Sequence, residues 1–322
     1  MSSVARPVRS ALVAGFCLLL GLHLVAPVAA QLEEPPRASI VASTEVLGSI
    51  LRSLAGDVAD VTVLMDGGTD PHSWQPSARD TEAIFRADLI VANGLDLEEG
   101  LVGVLEQAES EGVPVFHATD HVNVPASADA EGARQDETED ETDATHGPPA
   151  GDPHFWLDPL AMRDVVLALG PAMADANVDI GDAAIRLTAD LEALDAEIGR
   201  ILSSIPDEGR RLVTGHGAWG YFADRYGLEI VGTVVPGLSS SDEPSARDIA
   251  QLVDDIREAG ATVLFTDVGT PQSVAEAVAD ETGAQVVELP VAQLPDSGTY
   301  ADLLHELASS VAAALSGIST SD

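Results

Sequence analysis

The first half of the chain alternates short apolar runs with stretches in which apolar residues recur at helical spacing. The apolar runs have the length of buried strands, and each is followed by a helical stretch or a turn. The pattern predicts strands at 39–42, 61–65, 89–92 and 113–116, and helices at 46–54, 77–86 and 97–108. Strands that alternate with helices are typical of a parallel sheet with helices on both faces.

The same alternation returns in the second half, after two helical stretches with no strand between them. Those two helices are predicted at 160–173 and 182–205. They are followed by predicted strands at 211–214, 229–235, 262–266 and 285–289, and by helices at 219–226, 245–259, 271–282 and 300–315. We therefore predict an α/β fold of two doubly wound lobes, each with about four mainly parallel strands, joined by one long helix.

The N-terminal segment has the pattern of an export signal. Two arginines precede an apolar run at 11–25, and small residues follow at 28–30, where a signal peptidase would cut. The only cysteine, Cys17, follows the large Phe16, whereas a lipoprotein site needs a small residue there. We therefore expect an exported protein, periplasmic or extracellular, without a lipid anchor.

These features divide the chain into four predicted parts. They are a signal peptide at 1–30, a first metal-binding lobe at 31–180, a connecting helix at 181–205 and a second metal-binding lobe at 206–322. Within the first lobe, 126–150 is predicted to be a disordered acidic loop. Its stretch 126–143 carries eight acidic residues, one arginine and no large apolar side chain, so it has nothing to bury.

The charge of the chain excludes several classes of partner and of chemistry. With 15 basic and 54 acidic residues, the net charge is −39, which disfavours binding to nucleic acids or anionic lipids. Every basic residue is arginine, which excludes a P-loop or Schiff-base lysine, so any ATPase that the protein depends on is a separate chain. The predicted mature chain also lacks cysteine, so nitrogen and oxygen atoms would have to hold a metal.

Three histidines follow predicted strands, at the edge where parallel sheets bind ligands. His72 follows the second strand, His154 lies in the loop after the fourth, and His216 directly follows the fifth. Imidazole is the commonest protein ligand of zinc and its neighbours, and a cleft between the lobes would bring the three rings together. An Asp-Pro pair precedes both His72 and His154, and such an aspartate is placed to orient a ring.

His117 is a weaker candidate, and the remaining histidines of the predicted mature chain are predicted to be loop or surface residues: His121, His146 and His305.

A tryptophan accompanies each of the three histidines in the sequence. These are Trp74, Trp156 and Trp219. Two interpretations are compatible with this spacing: ordinary packing in a core, or an apolar wall that shields a metal site from water.

Several segments resemble the zinc and manganese substrate-binding proteins of ABC importers, the cluster A-I solute-binding proteins. The most distinctive lie at 70–77, 152–159 and 216–228, and the resemblance covers about 38–318. It implies two lobes joined by one long helix with little hinge motion. It also implies extracytoplasmic capture of a divalent transition metal and delivery to an ABC permease with a separate ATPase subunit. We expect a monomer that is not an enzyme.

The resemblance implies that His72, His154 and His216 are the first three metal ligands, and a histidine at the third position resembles the zinc-type members. Relatives usually supply an aspartate just after the last strand, but 289–293 contains no carboxylate. Three completions of the site stay open: a water molecule, Asp267 after the seventh strand, or Asp296 from the following loop. We expect Zn²⁺ to be preferred over Mn²⁺ because manganese depends more on oxygen ligands.

Three other functions compete with zinc transport. One is a manganese-selective carrier of the same family. Another is a zinc-dependent hydrolase, because three histidines with an open fourth position also occur in catalytic sites. The sequence lacks both a His-Glu-x-x-His helix and a nucleophile elbow, which disfavours hydrolysis. The third is a surface adhesin, which would need an anchor.

Overall fold

In the computed structural model of the protein we describe residues 37–56, 58–125, 151–296 and 298–317. Outside these ranges lie the predicted signal peptide with Cys17 and the predicted acidic loop 126–150 with His146. The boundaries of the four parts of the chain remain predictions. Within the described ranges, no helix is long and apolar enough to cross a membrane.

The first half forms a sheet of four parallel strands in the order β2-β1-β3-β4. The strands are β1 Ala38–Ala42, β2 Ala59–Val63, β3 Leu89–Ala92 and β4 Val115–His117. The helices of this half are α1 Glu45–Ala55, α2 Ala78–Phe85 and α3 Val102–Ser110. All four strands were predicted from the sequence, within two residues at each end.

The second half forms another sheet of four parallel strands with the equivalent order, β6-β5-β7-β8. Its strands are β5 Arg211–Thr214, β6 Glu229–Thr233, β7 Val263–Thr266 and β8 Gln285–Glu288. Its helices are α6 Gly220–Tyr226, α7 Ala246–Ala259, α8 Gln272–Thr282 and α9 Tyr300–Leu315. The predicted α/β class with two sheets of four parallel strands is confirmed.

Each sheet is covered by helices on both faces. In β1, Ile40 and Ala42 belong to the main core, whereas Val41 faces the opposite side and packs in a second cluster with Ile84 of α2 and Leu105 of α3. The second sheet repeats the arrangement, because Phe265 of β7 joins the main core and its neighbour Leu264 packs with residues of α7 and α8. This alternation follows from the pleat of a strand, which points successive side chains to opposite faces.

Two helices, α4 Pro159–Asp175 and α5 Gly181–Leu202, lie between the two sheets in the sequence. The longer, α5, packs against α1, α4 and α9. Its buried stripe is Leu191, Leu194, Ile198 and Leu202, and all four belong to the main core that also takes in residues of both sheets. The predicted connecting helix therefore also forms part of the core that the two halves share.

Three helices begin with the same capping arrangement. In α2, Ser77 accepts a hydrogen bond from the backbone of Asp80, and the Asp80 side chain accepts one from the backbone of Ser77. Helices α7 and α9 repeat this with the pairs Ser245–Asp248 and Thr299–Asp302. Each box satisfies backbone donors that a helix start leaves unpaired, and it places a negative charge at the positive end of the helix dipole.

Two predicted bounds differ from the structure for identifiable reasons. β2 ends at Val63, not at Met65, because β1, its partner in the sheet of the described residues, ends opposite it at Ala42. The helix predicted at 97–108 begins with a 3₁₀ turn at Glu99–Leu101. Glu98, which precedes this turn, has φ of −87° and ψ of 64°, so its backbone lies outside the helical region and the regular helix cannot include it.

Candidate metal centre

His72 lies in the loop between β2 and α2 and is only 5% exposed. Its backbone N–H donates to Asp70 Oδ1 at 3.1 Å, which fixes the turn that carries it. Its ring Nδ1 lies 3.5 Å from Glu99 Oε1, in the 3₁₀ turn before α3. The ring therefore has a carboxylate on its Nδ1 side, and its Nε2 points the other way.

His154 immediately precedes a short 3₁₀ helix, Phe155–Leu157. Asp152 Oδ1 accepts hydrogen bonds from both the backbone N–H of His154, at 2.9 Å, and its ring Nδ1, at 2.8 Å. A carboxylate on Nδ1 places the proton there and leaves the lone pair on Nε2. The loop is also held from the first sheet, because Asn93 Nδ2 donates to the Pro153 carbonyl at 2.9 Å.

His216 directly follows β5, and its ring faces a residue that follows β7. His216 Nδ1 lies 2.9 Å from Asp267 Oδ2, although the angles at these buried atoms are not those of a well-formed hydrogen bond. Burial raises the pKa of Asp267, but the contact with His216 and a hydrogen bond from Thr270 outweigh it and lower the pKa below its usual value. Asp267 is therefore an ionised carboxylate against the back of the third ring.

The three imidazoles converge through their Nε2 atoms. His154 Nε2 lies 3.4 Å from His72 Nε2 and 3.4 Å from His216 Nε2. The ligand atoms of the three all lie within 4.8 Å of one another. Nitrogens bound at about 2.0–2.1 Å to one tetrahedral zinc ion would be separated by about 3.3–3.4 Å. The spacing therefore fits one ion held by three ring nitrogens.

Electrostatics keep two of these histidines, His72 and His154, in the neutral state that binds metal. Burial, followed by the neighbouring rings of His154 and His216, lowers the pKa of His72 to about 2. Burial likewise lowers the pKa of His154, although Asp152 opposes the shift. Neutral rings keep their lone pairs, so a cation can bind here without first displacing protons from these two histidines.

The three histidines line a cavity of about 280 Å³ between the two halves of the chain. The segment 289–293 forms part of the cavity wall. A hydrogen bond from Trp156 Nε1 to the Val291 carbonyl, at 3.0 Å, holds this segment in place. The Trp156 ring packs on His154 with centroids 5.2 Å apart. Trp156 therefore supplies the apolar wall considered from the sequence. Trp219 packs instead among Phe222 and Phe265, and Trp74 packs in the cluster against α2 and α3.

The structure separates the three clustered histidines from the other candidates. In the described part of the chain, His72, His154 and His216 form the only group of three or more ligating side chains with metal-binding spacing. That group contains neither Asp267, which contacts the Nδ1 side of His216, nor Asp296, which is exposed. The other described histidines have separate contacts: His117 with Glu109, His121 with Phe116 and His305 with Glu197.

Sequence reasoning missed two residues that support the site, Glu99 and Asn93. Glu99 reaches His72 from 27 positions away, and Asn93 reaches Pro153 from 60 positions away. No motif marks either residue as part of a metal site.

The Asp-Pro-His pattern correctly indicated that Asp152 orients the ring of His154. For the other copy it was wrong, because Asp70 accepts the backbone N–H of His72 and Glu99 lies beside the ring Nδ1.

Comparison with known proteins identifies the family. A family model described as ZnuA, zinc-uptake complex component A, periplasmic, matches residues 40–314. The chain belongs to this family. The ZnuA match confirms the predicted resemblance to cluster A-I solute-binding proteins.

Individual relatives of the ZnuA family cover most of the chain. The manganese-binding lipoprotein MntA of Halalkalibacterium halodurans is 28% identical over 277 residues, 82% of this chain and 84% of the relative. The zinc-binding lipoprotein AdcA of Streptococcus pneumoniae is 28% identical over 302 residues, and the match spans 91% of this chain but only 57% of AdcA. The solved structure of the periplasmic zinc-binding protein TroA from Treponema pallidum superposes with a TM-score of 0.71 at 25% identity, covering 87% of this chain and 99% of TroA.

The names of these relatives bear on two expectations. They include both zinc-binding and manganese-binding proteins, so membership of the family leaves the choice between the two metals open. Two of the relatives are named lipoproteins. The expectation that this chain has no lipid anchor is therefore not borne out, and Cys17 lies outside the described residues.

Proposed function

We propose that this protein captures a divalent transition metal ion, zinc, outside the cytoplasm and delivers it to an ABC importer. The observation that carries the proposal is the convergence of three buried Nε2 atoms, with His154 3.4 Å from each of the other two. The family is described as one component of a zinc-uptake complex, so the permease is a separate chain. The ATPase is also a separate chain, because this chain has no lysine for a P-loop. The carrier acts as a monomer and is not an enzyme.

The preference for zinc over manganese rests on the ligand atoms. Three imidazole nitrogens in a partly apolar cavity suit zinc, whereas manganese favours carboxylate and carbonyl oxygens. The 289–293 segment supplies only apolar and amide side chains to the cavity wall. We propose that a water molecule completes the coordination, with Asp267 as the alternative ligand.

The burial and orientation of the histidines fit a metal carrier better than a zinc-dependent hydrolase. All three histidines are at most 7% exposed as whole residues, and each ring has a carboxylate on its Nδ1 side. A buried site of this kind retains the ion until it is passed to the importer, which is what a carrier requires. The ZnuA family match supports the same function, so we do not propose hydrolysis.

Metal analysis of the purified protein tests the proposal. We expect one zinc per chain, and we expect His72→Ala, His154→Ala and His216→Ala each to abolish tight binding by removing one of three ligands. His305→Gln is the matched control, because His305 lies on α9 and contacts Glu197. Full zinc stoichiometry in all three alanine variants would refute the proposed site. Equal affinities for zinc and manganese in competitive titrations would refute the proposed preference.

A further inference from the structure

The loop that follows β6, residues 237–242, bonds to two carboxylates of the first half, one in the loop between β2 and α2 and one in the 3₁₀ turn before α3. Ser240 Oγ donates to Asp70 Oδ2 at 2.6 Å, and Ser239 Oγ donates to Glu99 Oε1 at 2.6 Å. Hydrogen bonds from hydroxyls to ionised carboxylates are short and about twice as strong as neutral ones. Two consecutive serines thus tie this loop of the second half to the first half.

The two carboxylates that receive these bonds are the same two that seat His72. The other oxygen of Asp70 accepts the backbone N–H of His72 at 3.1 Å. Glu99 Oε1 lies 3.5 Å from His72 Nδ1. The backbone and the ring of His72 therefore both depend on groups that the 237–242 loop holds.

The other end of the loop is attached next to His216. The backbone N–H of Gly217 donates to the Gly237 carbonyl at 2.9 Å. The approach is so close that a Cβ on Gly217 would lie 2.6 Å from that carbonyl oxygen, so a side chain does not fit here. One short loop thus connects the segment of His216 with the supports of His72, and these two histidines come from opposite halves of the chain.

We propose that Ser239 and Ser240 form a latch that holds His72 in its metal-binding position, so that the 237–242 loop controls the rate of metal release. This proposal rests on the proposed function of the site. When the loop leaves Asp70 and Glu99, these side chains lose the contacts that fix their rotamers, and His72 loses its support on two sides. The ion is then held by the two remaining histidines and dissociates faster. Ser239 and Ser240 are positioning residues and do not contact the ion.

The test measures zinc dissociation from the full-length protein by stopped flow with excess chelator. We expect Ser240→Ala and the double variant Ser239→Ala/Ser240→Ala to release zinc at least about tenfold faster, while the association rate changes less than twofold. Restoring the hydroxyl with Ser240→Thr should return most of the slow rate. Ser241→Ala is the matched control, because Ser241 is exposed in the same loop and only its backbone bonds to Ser239.

Two further readouts distinguish a latch from general loosening of the fold. The thermal unfolding midpoint of the metal-free double variant should match that of Ser241→Ala. The visible spectrum of the cobalt-loaded double variant should differ from wild type, because the seating of one of three histidines has changed. Dissociation from the double variant at the rate of Ser241→Ala would overturn the latch while leaving the metal site intact. Failure of the wild-type protein to bind zinc would instead overturn the proposed function.

Discussion

At the scale of single residues, each ring of the histidine cluster has a carboxylate against its Nδ1 atom. The distances are 3.5 Å from His72 to Glu99, 2.8 Å from His154 to Asp152 and 2.9 Å from His216 to Asp267. A carboxylate in this position orients the ring, fixes its tautomer and makes Nε2 a stronger donor to a cation. The three acids come from three different loops, so the cluster is oriented from several directions.

The position of Asp267 leads to a prediction that separates an orienting residue from a metal ligand. The isosteric change Asp267→Asn removes the charge behind His216 and keeps the three Nε2 atoms. We expect zinc affinity to fall about 10–100-fold, as for other partners of metal-binding histidines, with the stoichiometry still one per chain. Competitive titration against a chelator of known affinity measures this.

The control for this change is Asp296→Asn, since Asp296 was the other carboxylate considered from the sequence and is exposed. Its affinity should equal that of the wild type. If Asp267→Asn instead lost zinc as completely as His216→Ala, Asp267 would have to be counted as a ligand.

At the scale of elements, α5 has two different faces. Ile198 is fully buried in the main core, whereas Ile185 on the same helix is 70% exposed. The helix is 22 residues long and contacts α1, α4 and α9 through its buried stripe. Its contribution to stability should therefore come from that stripe, because packing and not local propensity stabilises most helices in proteins.

Matched substitutions in α5 test this division. Ile198→Ala should lower the free energy of unfolding by about 2–5 kcal/mol, because it removes buried methyl groups and leaves a cavity. Ile185→Ala should change it by less than about 0.5 kcal/mol, since an exposed site has little packing to lose. Urea unfolding of the metal-free protein, followed by circular dichroism, measures both. Equal losses from the two variants would contradict the assignment of the buried face.

At the scale of the whole molecule, two effects of pH oppose each other. The net charge of −39 means that mild acid relieves repulsion between carboxylates. The buried cluster acts in the other direction, because the pKa of His72 is lowered to about 2 and that of His154 is also lowered. Above about pH 6.5 these two histidines are neutral in both the folded and the unfolded chain. Below it the unfolded chain binds protons that the folded chain does not, so their contribution to stability is lost as pH falls.

A variant that lacks both histidines isolates their contribution. From pH 6.5 down to pH 5, the metal-free wild type should lose up to about 1.4 kcal/mol per pH unit for each of the two groups, relative to His72→Gln/His154→Gln. The comparison cancels the effect of surface charge because both proteins share it. Chemical unfolding at a series of pH values gives the two curves. Parallel curves would show that these rings protonate in the folded protein as they do in the unfolded chain.

The sequence by itself determined the order and type of the elements and the identity of the clustered histidines. Strand β5 and helix α9 have the predicted bounds, 211–214 and 300–315, because hydrophobic periodicity is a local property of the chain. The three histidines could be selected because parallel strands present their carboxyl ends at one edge of a sheet. That rule needs only the order of the elements, so it applies before any contact is known.

Only the tertiary structure decided how the cluster is supported. The sequence placed Asp267 on the correct edge, but the side of His216 that it contacts depends on how β5 and β7 lie beside each other. Ser240 and Asp70 are 170 positions apart, and Glu99 and Ser239 are 140 apart. Contacts at such separations leave no periodic signal in the chain, because they depend on how two loops meet after both sheets have folded.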